Sequence, residues 1–245
     1  MSPTIRDEPA VELEDVRAGR LPARYGYPMQ SVLMERLEPL LLPGIAMLDV
    51  GAGRSPTVAP ERRPPGCTYV GLDISADELD EAEPGAYDEK IVHDVSKPSS
   101  LGRPFDVAIS WQVLEHVRPL DRAFENLRLA LRPGGTLLAQ LSGSYAAFSL
   151  AARIIPHTLR VWAMARFLGH PEELKFPTQY DRCHSRGLTQ MLSSWSSVEI
   201  IAFYRGADYF RASRPLQRAY LAYEAAVERR ALDNLATHFL VVARR

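Results

Sequence analysis

Ala46-Met47-Leu48-Asp49-Val50-Gly51-Ala52-Gly53-Arg54-Ser55-Pro56 is the stretch whose reading decides the fold. An apolar run that breaks into Gly-x-Gly reads as a buried parallel strand entering a turn, where missing Cβ atoms let a ligand approach the backbone. A nucleotide-like ligand is the expectation. A dinucleotide site calls for a third glycine three residues after the second, opening a helix whose amides hold a pyrophosphate. Pro56 occupies that position, which argues against a nicotinamide-dependent oxidoreductase. Asp49, two residues before the first glycine, suits a cationic group such as an amine and repels a phosphate at close range. A plain strand-turn-helix also fits this stretch alone, so the following strands carry the argument.

Thr68 to Asp73 reads as a second strand ending in an acid, and Asp73 lies 20 residues after Gly53. In nucleotide-binding βαβ units that interval brings an acid to the ribose, where a carboxylate accepts from both hydroxyls. The alternative is a helix cap, since Ser75, Asp77 and Glu78 follow at a helix start. A third strand, Lys90 to Val95, again contains a late acid, Asp94. His93 beside it reads as a packed or solvent-edge residue. Phe105 to Ser110 forms the fourth strand and runs into Trp111-Gln112-Val113-Leu114-Glu115-His116-Val117; Arg132-Pro133-Gly134-Gly135 then precedes a fifth strand, Thr136 to Leu141.

This order of motifs resembles the class I S-adenosylmethionine-dependent methyltransferases, in particular their small-molecule subgroup, across residues 46 to 142. The family's usual third glycine, two residues after Gly53, is Ser55 here. The resemblance implies S-adenosylmethionine as cofactor, no metal, and an in-line methyl transfer to oxygen, nitrogen or carbon. It places Asp49 and the Gly51-Ala52-Gly53 backbone at the methionine part and Asp73 at the ribose, with Ile74 beside it. Asp94, the Val95 amide and Trp111 belong around the adenine, and Ser110 and Gln112 near the sulfur. Candidate bases are His116, after the fourth strand, and His184 and Tyr180, in a loop before the sixth; the Glu115-His116 pair equally suits packing and helix-end hydrogen bonds. Asp181 reads as a solvated loop acid. Ser110-Trp111-Gln112-Val113 lacks the Asn/Asp-Pro-Pro-aromatic sequence of methyltransferases acting on base or glutamine amines. A binding or regulatory protein that retains the cofactor site without transferring a methyl is the alternative from another class.

The implied architecture is α/β: a Rossmann-like, mostly parallel sheet of seven strands, with helices on both faces and a helical insertion after the fifth strand. Residues 1–45 form an arm and lid helix, with Tyr25 and Tyr27 as candidate lid residues or simply packed ones; 46–143 the cofactor-binding core; 144–184 the aromatic-rich insertion capping an acceptor; and 185–245 the sixth and seventh strands, the last antiparallel beside the sixth. Helical patterns cover Ser31 to Leu42, a short acidic helix Ser75 to Glu83, Arg186 to Ser193 behind a Ser185 cap, and Pro215 to Leu232.

A chain of 245 residues with 46% hydrophobic and 24% charged residues has ample material for one core. The net charge of −1 provides no global field for nucleic acid. The aromatic residues of the 144–184 insertion suggest a bulky, partly apolar small molecule as the partner, with peripheral lipid contact and a monomer or homodimer left open. Cys67 and Cys183 fit neither a metal spacing nor a disulfide framework, as free thiols in a cytoplasmic protein do. No signal-peptide core is apparent, and no stretch reaches the roughly 18 apolar residues of a membrane span.

Overall fold

The computed structural model describes residues 16–98, 101, 103–146, 178–210 (208 and 209 as backbone) and 213–245. Seven strands form one sheet: β1 (Ala46–Val50), β2 (Thr68–Asp73), β3 (Glu89–Val92), β4 (Phe105–Trp111), β5 (Leu131–Ser142), β6 (Ser197–Phe203) and β7 (His238–Arg244). Their spatial order is β3-β2-β1-β4-β5-β7-β6. The first five run parallel to one another, and β7 inserts antiparallel between β5 and β6. That arrangement, with its Rossmann-like topology, is the one expected.

β1 is covered on both sides, Met47 and Leu48 being fully buried on opposite faces, so the strand reads as a continuous apolar run rather than an alternation. Helix α1 (Met29–Leu37) supplies Met29, Leu33, Met34 and Leu37 to one face, together with Leu79 of α2 (Ala76–Asp80). The opposite face is covered by Leu120, Ala123, Phe124 and Leu127 of α3 (Leu120–Ala130), Leu188 of α4 (Ser185–Met191) and Val227 of α5 (Arg214–Arg229). Each such large side chain removed from water contributes about 1.5–3 kcal/mol.

Several boundaries differ from the periodic pattern, each for a local reason. α1 stops at Leu37 and continues only as a 3-10 turn, Glu38–Leu40, because Pro39 has no amide to donate to the preceding turn. β3 ends at Val92, so Asp94 stands in the loop beyond the strand. The cap of α4 is His184 rather than Ser185: its Nδ1 accepts from the Gly187 amide at 3.1 Å. Asp181 is no solvated acid either. Its carboxylate accepts from the Leu120 amide at 2.9 Å and so caps α3 from another part of the chain. Most of the insertion expected over 144–184, and most of the N-terminal arm, lie outside the described residues.

The chain before α1 is fastened to the C-terminal part of the fold by a buried carboxylate. Glu224, on the buried Tyr220-Glu224-Val227 stripe of α5, accepts from the Tyr25 hydroxyl at 2.6 Å, from Arg24 at 3.1 Å and from the Gly206 amide at 2.5 Å. Arg205 returns the tie by donating to the carbonyls of Tyr25 and Tyr27, each at 3.0 Å. Burial and the neighbouring Glu224 push the Tyr25 phenol far up, so it remains a donor. Tyr27, by contrast, is exposed and donates to Glu35 on α1.

Glu224→Ala strips three donors of their acceptor and should lower unfolding stability in urea by about 3–5 kcal/mol. Arg24→Ala, which removes a partner whose side chain is 23% exposed, should cost only about 1 kcal/mol.

Candidate functional site

The carboxyl ends of β3, β2, β1 and β4 stand side by side, and between β1 and β4 the order of strands reverses. Open α/β sheets leave a crevice at such a reversal. The turn after β1 crosses it under tight restraint. Gly51 and Gly53 have φ of 71° and 53°, and a Cβ on Gly51 would stand 2.2 Å from Val113, the residue group just past β4. Only glycine meets both demands at position 51.

The turn is sewn to the end of β2. The amides of Gly51 and Ala52 donate to the Leu72 carbonyl at 2.8 and 3.1 Å, and the Gly53 amide donates to the Asp73 carboxylate at 2.9 Å. The other Asp73 oxygen accepts from the Ser75 amide at 2.9 Å. Asp73 is thus fixed at the strand tip, and each oxygen retains a lone-pair site. From below, the Tyr87 hydroxyl donates to the Ala52 carbonyl at 2.8 Å; Tyr87 fits there because Gly71 has no Cβ, which would lie 2.7 Å from its ring.

Asp49 turns inward instead of towards the crevice. It is fully buried and receives the Thr57 amide at 2.7 Å, the Thr57 hydroxyl at 2.8 Å and the Tyr69 hydroxyl at 2.7 Å. Burial pushes its carboxyl up, against the pull of those donors and of Arg63. The Arg63 guanidinium lies 3.7 Å from the Tyr69 ring centroid, and the Tyr69 oxygen also accepts from the Val58 amide at 3.0 Å. The acid expected at a methionine amine therefore anchors the loop from Gly51 to Val58, with a single lone-pair site left over.

On the next strand tip, Asp94 accepts from the Ser96 amide at 2.9 Å and its hydroxyl at 2.7 Å. Burial raises its carboxyl, but Ser96, Lys97 and His93 outweigh that, so the net shift is downward and the group stays ionised. The Val95 carbonyl accepts from Asn126 at 2.9 Å. Ile74 is 59% exposed at the end of β2, an apolar side chain beside Asp73. At the end of β4, Ser110 is buried and donates to the Val50 carbonyl at 3.3 Å, Trp111 is buried among the residues under α1, and Gln112 has φ 54° with its amide on the Gln140 carbonyl at 3.0 Å.

The candidate bases have unequal surroundings. Glu115 is buried, one oxygen accepting from the Ser142 amide at 3.1 Å and the other having no partner among the described residues; its backbone carbonyl receives the amides of Gln179 and Tyr180. Burial pushes its carboxyl up, against the opposing charge of His116. The His116 Nδ1 is buried with no hydrogen-bond partner among the described residues. His184 has its Nδ1 occupied as the cap of α4 and its ring 5.0 Å from that of Tyr145. Tyr180 is held by its backbone between Glu115 and Ser144, with φ 48°.

Thus the structure brings Gly51, Ala52, Gly53, Asp73, Ile74, Asp94, Val95, Ser110, Trp111 and Gln112 to neighbouring strand ends, and gives Asp49 an internal role. Thr57, Tyr69 and Tyr87, which hold the turn, were not legible as site residues: a lone Thr or Tyr, in a connector as for Thr57 and Tyr87 or within a strand as for Tyr69, carries no spacing signal. Gln140 and His238, buried polar residues within apolar strands, had a signal in their composition alone. Among the described residues no group of acids, histidines and cysteines is arranged for a metal ion, and no helix is long and apolar enough to cross a membrane.

The family described as "Methyltransferase domain" matches residues 23–193. A Brucella ovis protein named Ubiquinone biosynthesis O-methyltransferase is 25% identical over 189 residues, 75% of this chain and 73% of that protein. Among solved structures, a Haemonchus contortus phosphoethanolamine N-methyltransferase 2 bound to S-adenosylhomocysteine aligns with TM-score 0.53 and 17% identity, over 90% of this chain and 53% of that one. The [4+2]-cyclase SpnF aligns with TM-score 0.52 and 19% identity, over 88% and 81%. At these identities the structural likeness concerns the fold, which by itself leaves the chemistry open.

His238 gives this part of the fold a pH signature. Burial first, and the Arg205 charge second, push its imidazole down to about 4. Between that value and an unfolded value of about 6.5 the folded chain binds fewer protons, so stability present above pH 6.5 is lost as pH falls through about 4. The loss should reach about 3 kcal/mol, read as the difference between the unaltered chain and His238→Gln in unfolding curves across that window. Asp49 and Glu115, raised by burial, act in the opposite sense but are common to both proteins and cancel.

Proposed function

The chain belongs to the methyltransferase-domain family, and from that premise we propose that it carries a methyl group from S-adenosylmethionine to an oxygen of a bulky, partly apolar small molecule. The observation that carries the reading is Asp73, pinned by two backbone amides at a strand tip beside a glycine turn. Its two remaining lone-pair sites suit a pair of vicinal ribose hydroxyls. Asp94, ionised on the neighbouring tip, suits an exocyclic amine, and Ile74 offers an apolar wall beside it. Gly51, where a Cβ would meet Val113, lets the turn pack closely against the end of β4. Oxygen as the receiving atom follows the name of the Brucella relative.

Bound S-adenosylmethionine supplies an electrophilic methyl on a cationic sulfur; an oxygen lone pair takes that carbon as the C–S bond breaks, and S-adenosylhomocysteine leaves. The chain's own task is to hold the acceptor in line, keep water out and receive one proton from its hydroxyl. His116 is the residue we assign to that proton, since its Nδ1 is without a partner among the described residues, whereas His184 has its Nδ1 committed to a helix cap. Glu115, the buried carboxyl next in the chain, holds the Ser142 amide with its side chain and the amides of Gln179 and Tyr180 with its backbone.

Asp73→Asn should weaken S-adenosylhomocysteine about tenfold or more by titration calorimetry, because a hydrogen bond to a charged group contributes about 1.5–3 kcal/mol. Unchanged affinity would take Asp73 out of the site. Labelled S-adenosylmethionine that binds the unaltered protein yet gives no labelled product across broad metabolite extracts would favour a cofactor-binding regulator instead.

A further inference from the structure

Gln140 lies in β5, two residues before its end, on the face covered by α1. It is fully buried, and among the described residues neither its amide oxygen nor its amide nitrogen has a hydrogen-bond partner. An amide removed from water without replacement bonds is unfavourable, and a leucine of similar volume would avoid the penalty. The fold therefore retains a destabilising group at this position.

Its surroundings supply a use for it. The register pairs Gln140 with Trp111, the last residue of β4, and with Leu240 on β7. Ser142 pairs with His238, so the buried His238 stands diagonally across from Gln140 on the same face. Such diagonal positions are about 7–8 Å apart, within reach of long side chains. The Gln140 carbonyl also receives the amide of Gln112, so its backbone borders the turn that follows β4. Met29, Leu33, Met34 and Leu37 of α1 complete the apolar setting. A carboxamide, an imidazole and an indole thus share one apolar face, one strand away from the cofactor crevice.

Resting on the methyl-transfer reading above, we propose that Gln140 is a specificity-determining residue for the acceptor. Its carboxamide presents an acceptor and donors side by side, and its complement is a flat, largely apolar molecule that carries a hydroxyl with a second oxygen next to it. The amide oxygen receives the hydroxyl, and the amide nitrogen donates to the neighbouring oxygen. Trp111 provides the flat wall. In this structure the amide meets no solvent, so an acceptor that reaches it displaces part of the apolar packing around it.

The test uses the full chain loaded with S-adenosylhomocysteine and three probes: phenols bearing an ortho hydroxyl, an ortho carboxyl or an ortho methyl group. Calorimetry should show the first or second binding at least about tenfold more tightly than the third. Gln140→Leu should erase that preference while leaving affinity for S-adenosylhomocysteine unchanged. Without ligand, the same variant should melt about 2–4 °C higher, because an unsatisfied amide has been removed. A lower melting point for Gln140→Leu, or a preference unaltered by it, would make Gln140 a structural residue and overturn the proposal. Equal binding of all three probes to the unaltered protein would overturn it too. Failure of the unaltered protein to bind S-adenosylhomocysteine would strike the methyl-transfer reading itself, a distinct result.

Discussion

Everything in the crevice depends on the polar stitching between the ends of β1 and β2. Three consecutive amides, those of Gly51, Ala52 and Gly53, are consumed by the Leu72 carbonyl and the Asp73 carboxylate. A turn at positive φ with unpaired amides would be both strained and poorly solvated. Here the same contacts that satisfy the turn fix the direction of the Asp73 carboxylate, so the loop's backbone and the carboxylate behave as one rigid edge. A ligand that meets either meets both, and little ordering is left to oppose its binding.

Behind that edge stands a second, drier layer. Asp49 and Tyr69, both buried, hold the far side of the loop through Thr57 and Val58, with Arg63 stacked on the Tyr69 ring. Buried carboxyls are tolerated only where donors converge on them, and three do so on Asp49. Glu224 repeats the device at the other end of the sheet, where it binds the segment before α1 to α5. The two carboxylates divide the work: one shapes the loop after β1, the other ties the segment before α1 in place.

Much of the sheet could be read directly from the chain. β1, β2 and β4 are buried on both faces, so their runs are mainly apolar, Asp106 near the start of β4 apart, and end sharply at Asp49-Val50-Gly51, Asp73 and Ser110-Trp111. The antiparallel insertion of β7 came from the resemblance to a known family, since local pattern has no term for strand order. What local reading missed were relations between distant residues. Asp49 has the spacing of a ligand-binding acid, yet its partners Thr57 and Tyr69 lie 8 and 20 residues away, and only the folded register shows them taking its oxygens. Asp181 is in a polar loop but caps a helix that starts 61 residues earlier. Gln140 is an interruption in an apolar strand, whose meaning depends on which face of the sheet it meets.

The central claim is that the linked tips of β1, β2 and β3 form one adenosyl site. A crystal structure of the protein with S-adenosylhomocysteine tests it most directly. The account predicts both ribose hydroxyls on the Asp73 carboxylate, the adenine between Ile74 and the Asp94-Val95 segment, and the sulfur near the end of β4. Density for the nucleoside at any other place on the chain, or a ribose that leaves Asp73 to its backbone partners alone, would contradict it.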